Sequence, residues 1–171
     1  DVLKEFLAAD SLQSDSDHDF GKNIIPAMLQ DGRSMWAYRF EGYWKDVGTI
    51  DAYWESNMDL IKRVPEFNLY EREWRIYTPS PVKPAHYIGR TGSVKKSIIA
   101  EGCMIYGTVR NSVLFPGVRV EEGAAVEDSI IMTDTRIGQG VSISRCIIGE
   151  DVIVGNCARI GTGENIPNAD R

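Results

Sequence analysis

The stretch Ser129-Ile-Ile-Met-Thr-Asp-Thr-Arg-Ile-Gly-Gln-Gly-Val-Ser-Ile-Ser-Arg-Cys-Ile-Ile148 decides the fold. Its aliphatic residues Ile131, Ile137, Ile143 and Ile148 recur at steps of 6, 6 and 5. A helix needs apolar spacing of about 3.6 and a half-exposed strand about 2, so neither accounts for the pattern. Working outward, Ser97-Ile-Ile, Ser112-Val-Leu, Ser129-Ile-Ile and Cys146-Ile-Ile align at spacings of 15, 17 and 17. The same aliphatic series extends back through Val126, Val120, Leu114, Val109, Ile105 and Ile99, and forward to Val154 and Ile160. Turn-forming pairs such as Glu101-Gly102, Pro116-Gly117 and Glu122-Gly123 fall between them. One short flat face and one corner per hexapeptide satisfies this spacing, with one aliphatic per face pointing inward. Coils stacked about 4.8 Å apart pair each backbone with the next, which predicts a parallel β-helix.

Residues 1–78 follow different periodicities. Val2, Phe6 and Leu7 suit a short helix, and Ser14-Asp-Ser-Asp17 reads as a polar loop. Ile24, Ile25, Met28 and Leu29 predict a helix over 22–30, stopped at Asp31-Gly32. Met35–Phe40 alternates as a strand would. Thr49 is placed to cap a helix running through Ala52, Met58 and Ile61 to near Pro65. Residues 67–77 are aromatic-rich and fit either element. Three prolines in Thr78-Pro-Ser-Pro-Val-Lys-Pro84 mark a connector, because each removes a backbone donor and biases its neighbours to extended conformations. The organisation expected is thus 1–78, a connector over 79–93, and the repeat over 94–171.

Composition narrows the function classes. An apolar content of 43% with 26% charged residues is that of a globular chain, and a net charge of −6 argues against general nucleic-acid binding. No apolar run approaches the roughly 18 residues of a membrane span. Three cysteines without C-x-x-C spacing suggest neither a disulfide framework nor zinc, and favour a reducing cytoplasm. The chain opens on Asp1 and enters a helical pattern at once, as an excised piece of a longer protein would.

Chemistry concentrates in Asp19-Phe-Gly-Lys-Asn-Ile-Ile-Pro26 and Gly42-Tyr-Trp-Lys-Asp-Val-Gly-Thr49. A carboxylate such as Asp46, just ahead of a helix start, can ligate Mg²⁺ and through it phosphate oxygens. Trp44 offers a flat face to a sugar ring. Asp46 serves equally as a carboxylate favoured by the helix dipole, and Trp44 as a core residue.

Together with Tyr53-Trp-Glu55, Asn57-Met-Asp-Leu60, Glu73-Trp-Arg-Ile-Tyr-Thr78 and Ser129-Ile-Ile-Met132, these motifs resemble the glucose-1-phosphate adenylyltransferases (ADP-glucose pyrophosphorylases) over nearly the whole chain. The resemblance implies a mixed fold: the end of a Rossmann-like nucleotidyltransferase domain over 1–78, then a left-handed parallel β-helix. It implies a reaction of ATP with α-D-glucose 1-phosphate giving ADP-glucose and pyrophosphate, in glycogen or starch synthesis. Asp46 matches the second metal-coordinating aspartate of the family. Asp19, Phe20, Trp44 and Asp46 match its glucose 1-phosphate site, Mg²⁺ is the implied cofactor, and a homotetramer under allosteric control is the implied assembly. The family's glycine-rich nucleotide loop, first metal aspartate and Glu-Lys-Pro lysine have no counterpart here. The expectation is a fragment without activity of its own and with no complete catalytic set. Two alternatives stand beside it. One is a non-catalytic regulatory paralogue, against which the retained Asp46 argues. The other is a transferase making UDP-N-acetylglucosamine, against which Asp19-Phe-Gly-Lys22 and Tyr43-Trp-Lys-Asp46 argue.

The repeat itself points to a scaffold. Acyltransfer or metal catalysis on such coils depends on histidine, and both His18 and His86 lie outside the repeat. Cys103, Cys146 and Cys157 differ in phase and do not converge. Arg119 and Arg136, 17 residues apart, should stack on one face. Such a pair can bind a phosphate-bearing effector, or be neutralised by Glu121 and Glu122.

Overall fold

A computed structural model describes residues 1–73, 77–78 and 81–161. The chain divides into two compact units, Asp1–Glu41 and Gly42–Arg171.

The first unit holds α1 (Val2–Asp10), a π-helical turn (Phe20–Ile24) and α2 (Ile25–Gln30). The single helix expected over 22–30 is therefore two elements. Pro26 has no N–H to donate to the Lys22 carbonyl, and the preceding turn widens so that Ile24 bonds to Asp19 O instead. The second helix ends in a Schellman closure. Gly32, at φ +72°, and Arg33 donate to the carbonyls of Leu29 and Met28. Residues 35–40 form no strand and are exposed, because alternation without a pairing partner cannot sustain one.

In the second unit, α3 (Ile50–Leu60) precedes a solenoid of two- and three-residue strands on three faces. Tyr87–Ile88, Met104–Ile105, Arg119–Val120, Arg136–Ile137 and Ile153–Val154 form the first face. Ser93–Lys95, Thr108–Arg110, Ala125–Glu127, Ser142–Ser144 and Arg159–Ile160 form the second. Ile98–Ile99, Val113–Leu114, Ile130–Ile131 and Ile147–Ile148 form the third. Every pairing is parallel, with registers such as Arg136↔Arg119 and Ile131↔Leu114 that restate the 17-residue repeat. Stacking begins at Tyr87, once the last connector proline, Pro84, has passed and backbone donors are available again.

All twelve aliphatics of the sequence series lie in the core or pack against it. Val118, Ala124, Val141 and Cys103 join them from corner positions. Corners stack in columns of left-handed residues: Lys96, Asn111, Asp128 and Arg145; Gly102, Gly117, Asp134 and Asp151; Gly123, Gly140 and Cys157. A non-glycine residue there costs about 1–2 kcal/mol, less for Asn and Asp. Each fully buried Ile or Val contributes about 1.5–3 kcal/mol, so the filled interior outweighs the corners. One coil is abridged: Tyr106-Gly107 turns between the first and second faces where the next coil uses the four residues from Glu121 to Ala124.

Two columns run along the third face. Ile99, Leu114, Ile131 and Ile148 point inward. Their neighbours Val113 and Ile130 are buried without belonging to the interior, as outward residues covered from outside must be. The helix α3 lies on that side. Trp54 Nε1 donates to Asp128 O at 2.8 Å, and the Arg145 guanidinium sits 5.3 Å from the Trp54 ring centroid.

Candidate functional site

Asp19 opens the π-helical turn of the first unit. Its backbone is extended, and its Oδ1 accepts the Lys22 amide at 2.8 Å. The loop leading to it is held by Asp10. One Asp10 oxygen accepts the Ser16 hydroxyl (2.6 Å) and the other meets His18 Nδ1 (2.8 Å). These contacts, Ser16 first, keep the Asp10 carboxyl below its ordinary range. Hydroxyl and imidazole both converge on the carboxylate rather than on each other, so the trio fixes a loop and does not activate a nucleophile. Phe20, beside Asp19, leaves 52% of its surface exposed.

In the second unit, residues 43–46 run extended and alternate in burial. Tyr43 and Lys45 turn toward α3. The Tyr43 hydroxyl donates to Asp59 Oδ2 (3.2 Å), and Lys45 Nζ reaches the same oxygen (3.1 Å) and Glu55 (3.2 Å). Lys62 holds the other Asp59 oxygen at 2.6 Å. Lys62 and, after it, Lys45 hold the Asp59 carboxyl low against the opposing effect of burial. Burial and then Asp59 raise the Tyr43 phenol. Burial pulls the Lys45 ammonium down, but Asp59 and Glu55 more than offset this. Lys45 is thus a structural cation.

The alternate residues, Trp44 and Asp46, face outward, Trp44 with 76% of its surface exposed. It is no core residue. Asp46 Oδ1 accepts the Gly48 amide at 3.1 Å, which fixes the carboxylate of this exposed residue. Thr49 caps α3, its hydroxyl accepting from Ala52 N at 3.1 Å. The cap and the Asp46 turn together make the passage from extended chain to helix. Asp46 fits a hard cation as one oxygen ligand. Among the described residues no cluster of three His, Cys, Asp or Glu side chains gathers to hold a metal.

The structure places Asp19 and Phe20 in one compact unit and Trp44 and Asp46 in the other. Arg119 and Arg136 are register partners on the first face. Arg119 pairs with Glu121 and lies 5.4 Å from the Tyr106 ring centroid, so much of its charge is already engaged.

Sequence reasoning gave Trp54 and Arg145 no role. They wall a half-open cavity of about 630 Å³ with Val47, Asp51, Met132 and Ile147. The signal was present in the doubled aliphatics of the third face, whose first residue has no place inside a coil.

The nucleotidyl transferase family matches residues 1–63, and the GlmU-like C-terminal hexapeptide family matches residues 81–170. Fold and matches together define a nucleotidyltransferase-type chain continued by a hexapeptide β-helix. A glucose-1-phosphate adenylyltransferase of Acetivibrio thermocellus is 71% identical over 168 residues, 98% of this chain and 39% of the relative. Another, of Clostridium perfringens, is 54% identical over 165 residues, 96% of this chain and 42% of the relative. This chain belongs to the glucose-1-phosphate adenylyltransferase family. It spans about two fifths of the length of these relatives. Among the described residues no helix is long and apolar enough to cross a membrane.

Proposed function

We propose that this chain is part of an enzyme that joins ATP and α-D-glucose 1-phosphate to give ADP-glucose and pyrophosphate, for glycogen or starch synthesis in the cytoplasm. In that reaction a sugar-phosphate oxygen attacks the α-phosphorus of ATP in line and pyrophosphate leaves. Catalysis is then mostly positioning and neutralisation of phosphate charge. The observation that carries the reading is the outward Asp46 carboxylate, fixed by the Gly48 amide ahead of a capped helix.

Asp46 would hold one site of a Mg²⁺ ion, which when bound supplies charge neutralisation to the phosphates. Asp19 would accept hydrogen bonds from sugar hydroxyls, with Phe20 and Trp44 as pocket walls. Their exposure, 52% and 76%, supports a role toward a ligand rather than in a core. The homotetramer and a phosphorylated effector at Arg119 and Arg136 belong to the same reading.

Full-length protein carrying Asp46→Asn should lose about 10²- to 10³-fold in kcat, with KM for ATP little changed. Unchanged kcat in that variant would remove the assignment. The isolated 171-residue chain should make no ADP-glucose. The second reading, a regulatory subunit, predicts an inactive full-length protein that alters the kinetics of an active partner; the retained Asp46 speaks against it.

A further inference from the structure

The residue ahead of α3 to which the proposed chemistry is assigned is Asp46, and α3 is itself attached to the β-helix. Trp54, in the middle of α3, donates its indole N–H to Asp128 O, at a left-handed corner of one coil. Arg145, the equivalent corner residue of the next coil, lies over the same ring. The indole is thus held by two successive members of one corner column. At the far end of α3, Asp59 grips Tyr43 and Lys45, the two inward residues of the segment that carries Asp46. A continuous chain of contacts therefore runs from the coils through Trp54 and Asp59 to the residues on either side of Trp44.

We propose that the Trp54 indole, clamped between Asp128 and Arg145, is a positioning device through which the β-helix sets the Asp46-Val-Gly-Thr49 turn. Trp54 and Arg145 act on that turn through α3, so they are positioning residues and not catalytic ones. Two further observations fit. Val113 and Ile130 are buried on the outside of the third face, the side on which Trp54 bonds to Asp128. The cavity walled by Trp54 and Arg145 extends to Val47 and Thr49 themselves, so the turn is loosely packed on that side and depends on α3 for its place. The consequence for catalysis rests on the reading of Asp46 as a metal and substrate ligand; the consequence for the turn does not.

Amide hydrogen exchange tests the clamp directly in the chain as given. Arg145→Gln removes the cation from an exposed position without touching the core, and Trp54→Phe removes the indole donor. In both, exchange at Val47, Gly48 and Ala52 should quicken by at least about fivefold while Ile105 and Val126 in the coils keep their protection. Arg145→Lys, which keeps the cation, should restore most of the difference. In full-length protein the same two variants should raise the half-saturating Mg²⁺ concentration by about fivefold with KM for ATP within about twofold. Unchanged exchange at Val47 and Gly48 in both variants overturns the clamp. So does faster exchange without a shift in Mg²⁺ dependence in a protein where Asp46→Asn does shift it. If Asp46→Asn leaves Mg²⁺ dependence unaltered, the metal reading fails, and the exchange result alone then upholds or overturns the clamp.

Discussion

Ser112 Oγ accepts the backbone amide of Ser129 at 3.1 Å, one coil further on. The relation repeats: Ser97 Oγ takes the Ser112 amide, and Ser129 Oγ takes the Cys146 amide at 3.0 Å. Each hydroxyl donates in turn to the carbonyl two residues before it, as Ser129 does to Glu127 at 2.6 Å. A ladder of side chains thus satisfies the amides that follow the left-handed corner, where the strand ladder is interrupted. Ser112 and Ser129 are fully buried, so no water replaces them.

Replacing Ser129 with alanine leaves the Cys146 amide and the Glu127 carbonyl without these partners. A buried unpaired group costs about 1–3 kcal/mol, and Ser129→Ala should lower unfolding free energy by that amount in urea titration. Cys146→Ser, which repeats the hydroxyl of the other steps, should change it by less than about 0.5 kcal/mol. Equal effects of the two substitutions would contradict the ladder.

Gly117 and Gly123 offer a matched pair, both at left-handed corners with φ of +79° and +71°. A Cβ on Gly117 would press on the Asp134 carboxylate and on Lys83 Nζ, which are themselves paired across the corner. A Cβ on Gly123 would meet nothing nearer than 3.7 Å. Gly123→Ala should cost about 1 kcal/mol, the backbone strain alone. Gly117→Ala should cost at least about twice as much, because the Lys83–Asp134 bridge must open as well. Chemical denaturation of the two variants side by side checks the ratio.

Asp59 links Tyr43, Lys45 and Lys62, and its carboxyl is held below the ordinary range. A depressed folded-state value means stability that is present above the unfolded value, about 4, and lost as pH falls through the folded one. Asp59→Asn should therefore destabilise at pH 7, by about 1 kcal/mol for such a half-exposed cluster. The difference from wild type should shrink below about pH 4. Thermal melts between pH 3 and 7 give the comparison, and a gap that widened in acid would refute it.

The three thiols sit in different surroundings. Cys103 is fully buried, Cys146 is half-buried, and Cys157 is exposed at a corner. Burial raises both the Cys103 and Cys146 thiols. Since the thiolate is the reactive form, alkylation at pH 8 should modify Cys157 first and Cys146 more slowly. Cys103 should react only after unfolding. Peptide mass spectrometry over a time course reads the order directly.

The β-helix was legible because its inward aliphatics keep phase over four coils, and phase is a property of the sequence alone. The outward column of Ile98, Val113, Ile130 and Ile147 was not. A repeat of 17 says which residues stack, but not that Trp54 of α3 reaches that side from 74 residues before Asp128. The Thr49 cap was readable from local chemistry, as was the Asp46 turn beside it. The ties of Tyr43 and Lys45 to Asp59 needed three dimensions. So did the break at Pro26, where a missing donor outweighed an otherwise good helical pattern. The strand expected over 35–40 shows the converse limit: alternation describes a surface, and pairing needs a neighbour.

The coil shortened at Tyr106-Gly107 reaches the second face with Val109 still stacked beneath Val126. Gly107 makes this possible, since any Cβ there would run into the Ala124 carbonyl at 2.4 Å. Length in this solenoid is therefore stored at its bends and order along its flats, much as a ruler can be folded without altering its marks. Residues can be gained or lost at a bend without reversing any side chain beyond it. Bends are where insertions and deletions can accumulate, while the flats hold their count.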